Sequence, residues 1–223
     1  ADRLWWAPVG ADPEELHPCH APDAAQVRWG LNGSTVLYLG QLHGGQYVKL
    51  VLQAAVLLQA SWPSVRMLIV GDGHQRSELE QTARDLGLSC VIFVGAIARE
   101  EVPAYVAAAE VCVAAFEATP VTACKSPLKL AEYLAAGKAI VASEVGEVRR
   151  MIGEAGVVVP PGDAEAQADG VLRLLRNPEE RCRLGRLARE RSVAQLTWRH
   201  SAQRLANAYE AALSTGWRAE AGR

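Results

Sequence analysis

"VRMLIVGDGHQRSELEQTARDLGLSCVIFVG", Val65 to Gly95, changes its periodicity twice within one short span. "VRMLIVGDG" is a β-type apolar run that stops at Gly71 and Gly73, and "RSELEQTARDLG" is a helix-forming stretch ending at Gly87. "CVIFVG" is apolar and strand-like again. Strand, helix and strand in that order make one right-handed crossover of a parallel sheet.

The same alternation continues on both sides. Upstream, "STVLYLG" (residues 34–40) reads as a strand closed by Gly40, and "YVKLVLQAAVLLQA" (47–60) as a helix. Downstream come "REEVPAYVAAA" (99–109) as a short helix and "VCVAAF" (111–116) as a strand. "SPLKLAEYLAAG" (126–137) reads as a helix, followed by "AIVAS" (139–143) and "GVVVPPGD" (156–163) as the fifth and sixth strands. Ala164 to Leu213 is mostly helical. Strands that are continuous Val/Ile/Leu runs are buried on both faces. The expected fold class is therefore α/β, a doubly wound, Rossmann-like parallel sheet. Such sheets bind ligands beyond the carboxyl ends of their strands, which directs attention to residues 40–46, 71–74, 95–98 and 117–132.

Three segments are expected: a lead-in over 1–30, which is rich in Pro, Ala, Asp and His, a sheet domain over 31–197, and a C-terminal helix and tail over 198–223. The 223-residue chain is half hydrophobic, and its 23 basic against 25 acidic side chains give a net charge of −2. That balance supplies no bulk attraction for nucleic acid or an anionic membrane, so any anion must be met locally. No apolar stretch has the length of a membrane span, and the expected location is cytoplasmic. Cys19, Cys90, Cys112, Cys124 and Cys182 are scattered and odd in number, which reads as reduced core thiols.

The helix opening at Ser126 is the candidate ligand clamp. Ser126 suits an N-cap and Pro127 a first helical residue. Free N–H groups and the positive end of the dipole would then face the sheet's carboxyl edge, where a phosphate can be held. Lys129 in the first turn opposes the usual preference for acids there, which an anion between ammonium and helix would explain. Glu132, three residues on, stands where a carboxylate could accept hydrogen bonds from sugar hydroxyls. The same spacing also suits an ordinary surface ion pair.

"SPLKLAEYLAAGKAIVAS", "GDGHQRSELEQTARDLGL", "VIFVGAIAREEVPAYVAAAEV" and "WWAPVGADPEELHP", in the family's order from Trp6 to about Leu213, resemble the donor-binding half of GT-B glycosyltransferases of the family 4, glycogen-synthase-like type. The resemblance implies retaining transfer of a sugar from a nucleotide-diphosphate donor, with no metal or other cofactor required. Glu132 then matches the second glutamate of the paired-glutamate motif, on the ribose, with Leu128, Lys129, Ser126 and Pro127 at the diphosphate. Gly95 to Ala98, Ile97 included, match the loop along the base. Gly40 and Gln41 match the glycine turn beside phosphates and sugar, and Gly71 and Gly73 a tight turn beside the ligand. Residues 8–18 resemble the link to an acceptor-binding N-terminal domain, the implied partner, through which any peripheral membrane association would run.

Three positions depart from the pattern. Gln41 and Gln46 stand where many relatives carry an arginine and a lysine, and Cys124 stands where the first glutamate belongs. Lys125 is a second local cation. These departures also fit a catalytically weakened nucleotide-binding or pairing module. "VGDGHQR" has Arg76 where a dinucleotide fingerprint wants glycine, which argues against an oxidoreductase. "HPCH" (17–20) has no second cluster at zinc-site spacing. His43 is a candidate donor to the transferred group but, like His74, reads first as a loop residue, "RNPEERCRLGRLARERS" (176–192) reads as a solvated face, and Trp198, Leu205, Tyr209 and Leu213 mark a packing helix that in the resembled enzymes crosses back toward the other half.

Overall fold

The computed structural model describes residues 4–18, 25, 28–31, 34–43 and 46–214. The strands are β1 (Thr35–Leu39), β2 (Arg66–Val70), β3 (Val91–Gly95), β4 (Val111–Ala114), β5 (Ala139–Ser143) and β6 (Val157–Val159). They form one sheet in the order β3-β2-β1-β4-β5-β6, with every neighbouring pair parallel. The order reverses between β1 and β4, so the crevice beyond those two carboxyl ends is the switch point.

Successive strand residues point to opposite faces, and both faces are covered. Leu37, Leu68, Cys112 and Ile140 pack beneath α3 (Val102–Ala108), α4 (Leu128–Ala135) and α5 (Val148–Ile152). Val36, Met67, Val113 and Val141 pack beneath α1 (Gln46–Ser61), α2 (Arg76–Asp85) and α6 (Ala164–Arg176). This double cover is why the strands are apolar without alternation. Helices α7 (Pro178–Gln195) and α8 (Trp198–Ser214) close the chain.

Several expectations need correction. Among the four cysteines described, Cys90 and Cys112 are buried, but Cys124 and Cys182 are exposed, because a loop and a helix flank carry them rather than a strand. Cys19 lies outside the described residues. The α8 stripe is a different case: Trp198, Leu205, Tyr209 and Leu213 are 48–82% exposed on this domain, and the packing expected for them is toward the other half. The helix is tied down through Ser201, whose hydroxyl donates to the Pro8 carbonyl at 2.6 Å. The arginine-rich α7 is not simply solvated: Arg189 donates to the carbonyls of Pro13, Leu16 and Ala135, and Arg191 to that of Met151.

The lead-in, aperiodic in sequence, is fixed by the same bonds. Ala11 N–H donates to the Leu196 carbonyl at 3.0 Å. The guanidinium groups of Arg150 and Arg204 lie 3.9 Å and 4.5 Å from the centre of the Trp6 ring, whose N–H donates to Glu147.

Candidate functional site

Helix α4 begins at Leu128, two residues after the expected cap. Pro127 occupies the N-cap position, and no side chain caps the helix. Ser126 cannot cap because its hydroxyl accepts the Val9 N–H at 3.2 Å and donates to Met151 Sδ at 3.7 Å. The first N–H groups of an α-helix have no intrahelical acceptor, so those of Leu128 and Lys129 are available at the switch point.

The Lys129 side chain turns toward β1 rather than toward Glu132, and no ion pair joins the two. Its Nζ lies 3.9 Å above the centre of the Tyr38 ring and 5.8 Å from that of Phe116. A Cβ on Gly40 would stand 2.7 Å from that nitrogen, so a side chain at the end of β1 would push the ammonium from its present place. Lys129 has neither a hydrogen-bond acceptor nor a carboxylate partner among the described residues. Loss of hydration lowers its pKa to about 7, with Glu132 opposing the shift. Burial pushes the Tyr38 phenol up to about 12.

Glu132 faces the other side of the helix tip. It lines a small open cleft together with Leu128, Arg99, Pro103, Glu15 and Trp198. Burial raises its pKa, while Arg99 and then Lys129 pull it down. Arg99 is bonded across the cleft mouth to Glu15, which that partner holds below the usual carboxylate range. The arrangement offers an anion seat with donors and an ammonium, and beside it a carboxylate able to accept from hydroxyls.

The remaining predicted residues divide. Leu128 is 44% exposed at the tip, and Lys125 sits close by with its Nζ 5.4 Å from the Tyr47 ring and 5.7 Å from Phe116. Gln41 is exposed beyond β1, and the Gln46 side chain lies outside the description. Gly71 and Gly73 meet protein rather than open space: a Cβ on Gly71 would coincide with the Gly40 carbonyl, and one on Gly73 would stand 2.5 Å from the Leu42 carbonyl. Gly95, at φ +88°, lies against Arg76. Ile97 is half-buried against the core. Cys124 is exposed in the 3-10 turn Thr122–Cys124.

His43 and His74 stack on each other with Nδ1 atoms 2.9 Å apart. Cys19 and His20 of "HPCH" lie outside the described residues, among which no group of three metal-type side chains gathers. No described helix is long and apolar enough to cross a membrane. The aromatic floor of Tyr38, Tyr47 and Phe116 escapes sequence reading. Its three members belong to β1, α1 and the end of β4, and nothing in their spacing links them.

Residues 33–177 match the family described as Glycosyl transferases group 1. The alpha-D-kanosaminyltransferase of Streptomyces kanamyceticus is 29% identical over 82% of this chain and 47% of its own length. The phosphatidyl-myo-inositol mannosyltransferase of Mycolicibacterium smegmatis is 31% identical over 82% and 47%. The chain thus spans about half the length of these curated relatives. Among solved structures, sucrose-phosphate synthase from Thermosynechococcus elongatus superposes with a TM-score of 0.73 at 28% identity, over 94% of this chain and 52% of that one. Anabaena HepE, solved in complex with UDP-glucose, superposes at 0.77 with 19% identity, over 92% and 56%, a likeness of fold.

Proposed function

The chain belongs to the group 1 glycosyltransferases, and from that premise we propose that it is the donor-binding half of a retaining glycosyltransferase using a nucleotide-diphosphate sugar. The observation that carries this reading is the pairing at the α4 tip. Free N–H groups and an ammonium without a counter-ion face the switch point, while Glu132 stands in the cleft one turn on. The diphosphate would lie against Leu128, Lys129 and Gly40, the ribose against Glu132, and the base along Gly95 to Ala98. As the sugar–phosphate bond breaks, charge builds on the departing diphosphate, and fixed donors that need not reorganise stabilise it. In this reading the donor phosphate itself takes the acceptor's proton, as the family resemblance implies.

An N-terminal acceptor-binding domain completes the reading, in keeping with the half-length match to relatives. The donor seat calls for no metal or other cofactor. Calorimetric titration with UDP, GDP and ADP tests it: one diphosphate should bind more tightly than its monophosphate, and no binding by any of the three overturns the assignment. Exposed Cys124 and Gln41, where the family pattern has charge, favour a second reading, a nucleotide-binding module without turnover. A chain that binds nucleotide but, joined to its N-terminal half, releases no sugar from the donor would establish that second reading.

A further inference from the structure

We infer that Lys125 and Lys129 form a two-ammonium clamp for the donor's diphosphate, held on the shared aromatic floor of Tyr38, Tyr47 and Phe116. The inference rests on the donor-site reading above, and in it Lys125 takes over the charge that Gln41 and Gln46 do not bring. Both ammonium groups lie within cation–π range of the Phe116 ring, at 5.7 Å and 5.8 Å. Each also has a ring of its own, Tyr47 at 5.4 Å for Lys125 and Tyr38 at 3.9 Å for Lys129. Neither has a carboxylate partner among the described residues, whereas nearby Arg76 and Arg99 do.

The choice of support matters. A carboxylate would hold an ammonium in place but cancel its charge and compete with phosphate. An aromatic face attracts the cation through its quadrupole and carries no formal negative charge to compete with an incoming anion. The roots of both side chains are also fixed. Lys125 N–H donates to Thr122 and its carbonyl accepts from Glu147 N–H at 2.9 Å, packed so closely on Gly146 that a side chain there would strike it. Lys129 stands on the first turn of α4. Tyr47 packs edge-on against Phe116 at 5.5 Å. Tyr47 is thus a positioning residue: it acts on the ligand through Lys125.

The test compares UDP or GDP, whichever binds, with its monophosphate and nucleoside in the wild-type chain and in Lys125→Met, Tyr47→Leu, Tyr47→Phe and Glu132→Ala, each checked for folding by circular dichroism. Lys125→Met should weaken the diphosphate about tenfold, as expected for one charge-assisted contact, and leave the nucleoside unchanged. Tyr47→Leu should weaken the diphosphate about threefold, and Tyr47→Phe, which keeps the ring, should restore it. Wild-type diphosphate affinity in Lys125→Met, alongside loss in Glu132→Ala, overturns the clamp and leaves the donor site standing. A wild-type chain that binds no diphosphate overturns the donor site and the clamp together.

Discussion

The two sides of the sheet's carboxyl edge are built on opposite rules. Beyond β2 and β3 most polar groups satisfy one another, with the buried Gln75 Oε1 the exception. Asp72 accepts from the Gly73 N–H and from Arg76, and Arg76 also reaches Glu80. Gly71 N–H donates to the Gly95 carbonyl, and Gly40 N–H to that of Val70. Beyond β4 the loop and the tip of α4 leave two ammonium groups, two N–H groups and one carboxylate without hydrogen-bond or ion-pair partners among the described residues. Gly71 and Gly73 in the first region admit protein backbone, while Gly40, at the end of β1 between the two, lies against Lys129. Satisfied polar groups hold a scaffold together. Unsatisfied ones, each carrying a desolvation cost, mark where a ligand completes the structure.

Mutations on the two sides should therefore fail in different currencies. The largest effect is expected at Gly71, where φ is +134° and the Gly40 carbonyl fills the side-chain position. Gly71→Ala should cost about 3 kcal/mol of stability or more, read as a lowered denaturant midpoint. Glu132→Ala should leave folding intact and lower nucleotide affinity tenfold or more, about 1.5 to 3 kcal/mol for charged hydrogen bonds, measured by calorimetry. Unchanged affinity in the folded variant would remove the ribose assignment.

Lys129→Met should lose nucleotide binding and yet stabilise the empty chain by about 1 kcal/mol at pH 6, seen as a melting temperature a few degrees higher. Its sign follows from the shift of Lys129 to about 7. Between that value and the ordinary lysine range the unfolded chain binds the extra proton, so wild-type stability rises with pH there. The gain from methionine is thus complete below pH 7 and fades as pH climbs toward the lysine range. On the scaffold side, Arg76→Ala removes partly exposed ion pairs. It should cost no more than about 1 kcal/mol and leave nucleotide affinity unchanged. A large affinity loss there would erase the contrast between the two sides.

The strand runs were legible because Val36, Met67, Val113 and Val141 on one face and Leu37, Leu68, Cys112 and Ile140 on the other are all buried. The helix start was legible to within one residue. Ser126 has a capping side chain, but Val9, from the lead-in, takes its hydroxyl. Likewise the α8 stripe is apolar at helical spacing, yet periodicity records only that a face is apolar and cannot say whether this domain covers it.

By itself the sequence determined the alternation of strands and helices, their burial on both faces and the placing of Lys129 and Glu132 one turn apart, since these follow from local periodicity and composition. Only the tertiary structure decided that the two side chains part around the helix tip, that Tyr38, Tyr47 and Phe116 meet beneath two lysines, and that Gly71 and Gly73 serve the chain's own backbone. The reason is that these contacts join segments far apart along the chain, and a hydroxyl, an ammonium or a glycine has no fixed role until folding supplies its neighbour.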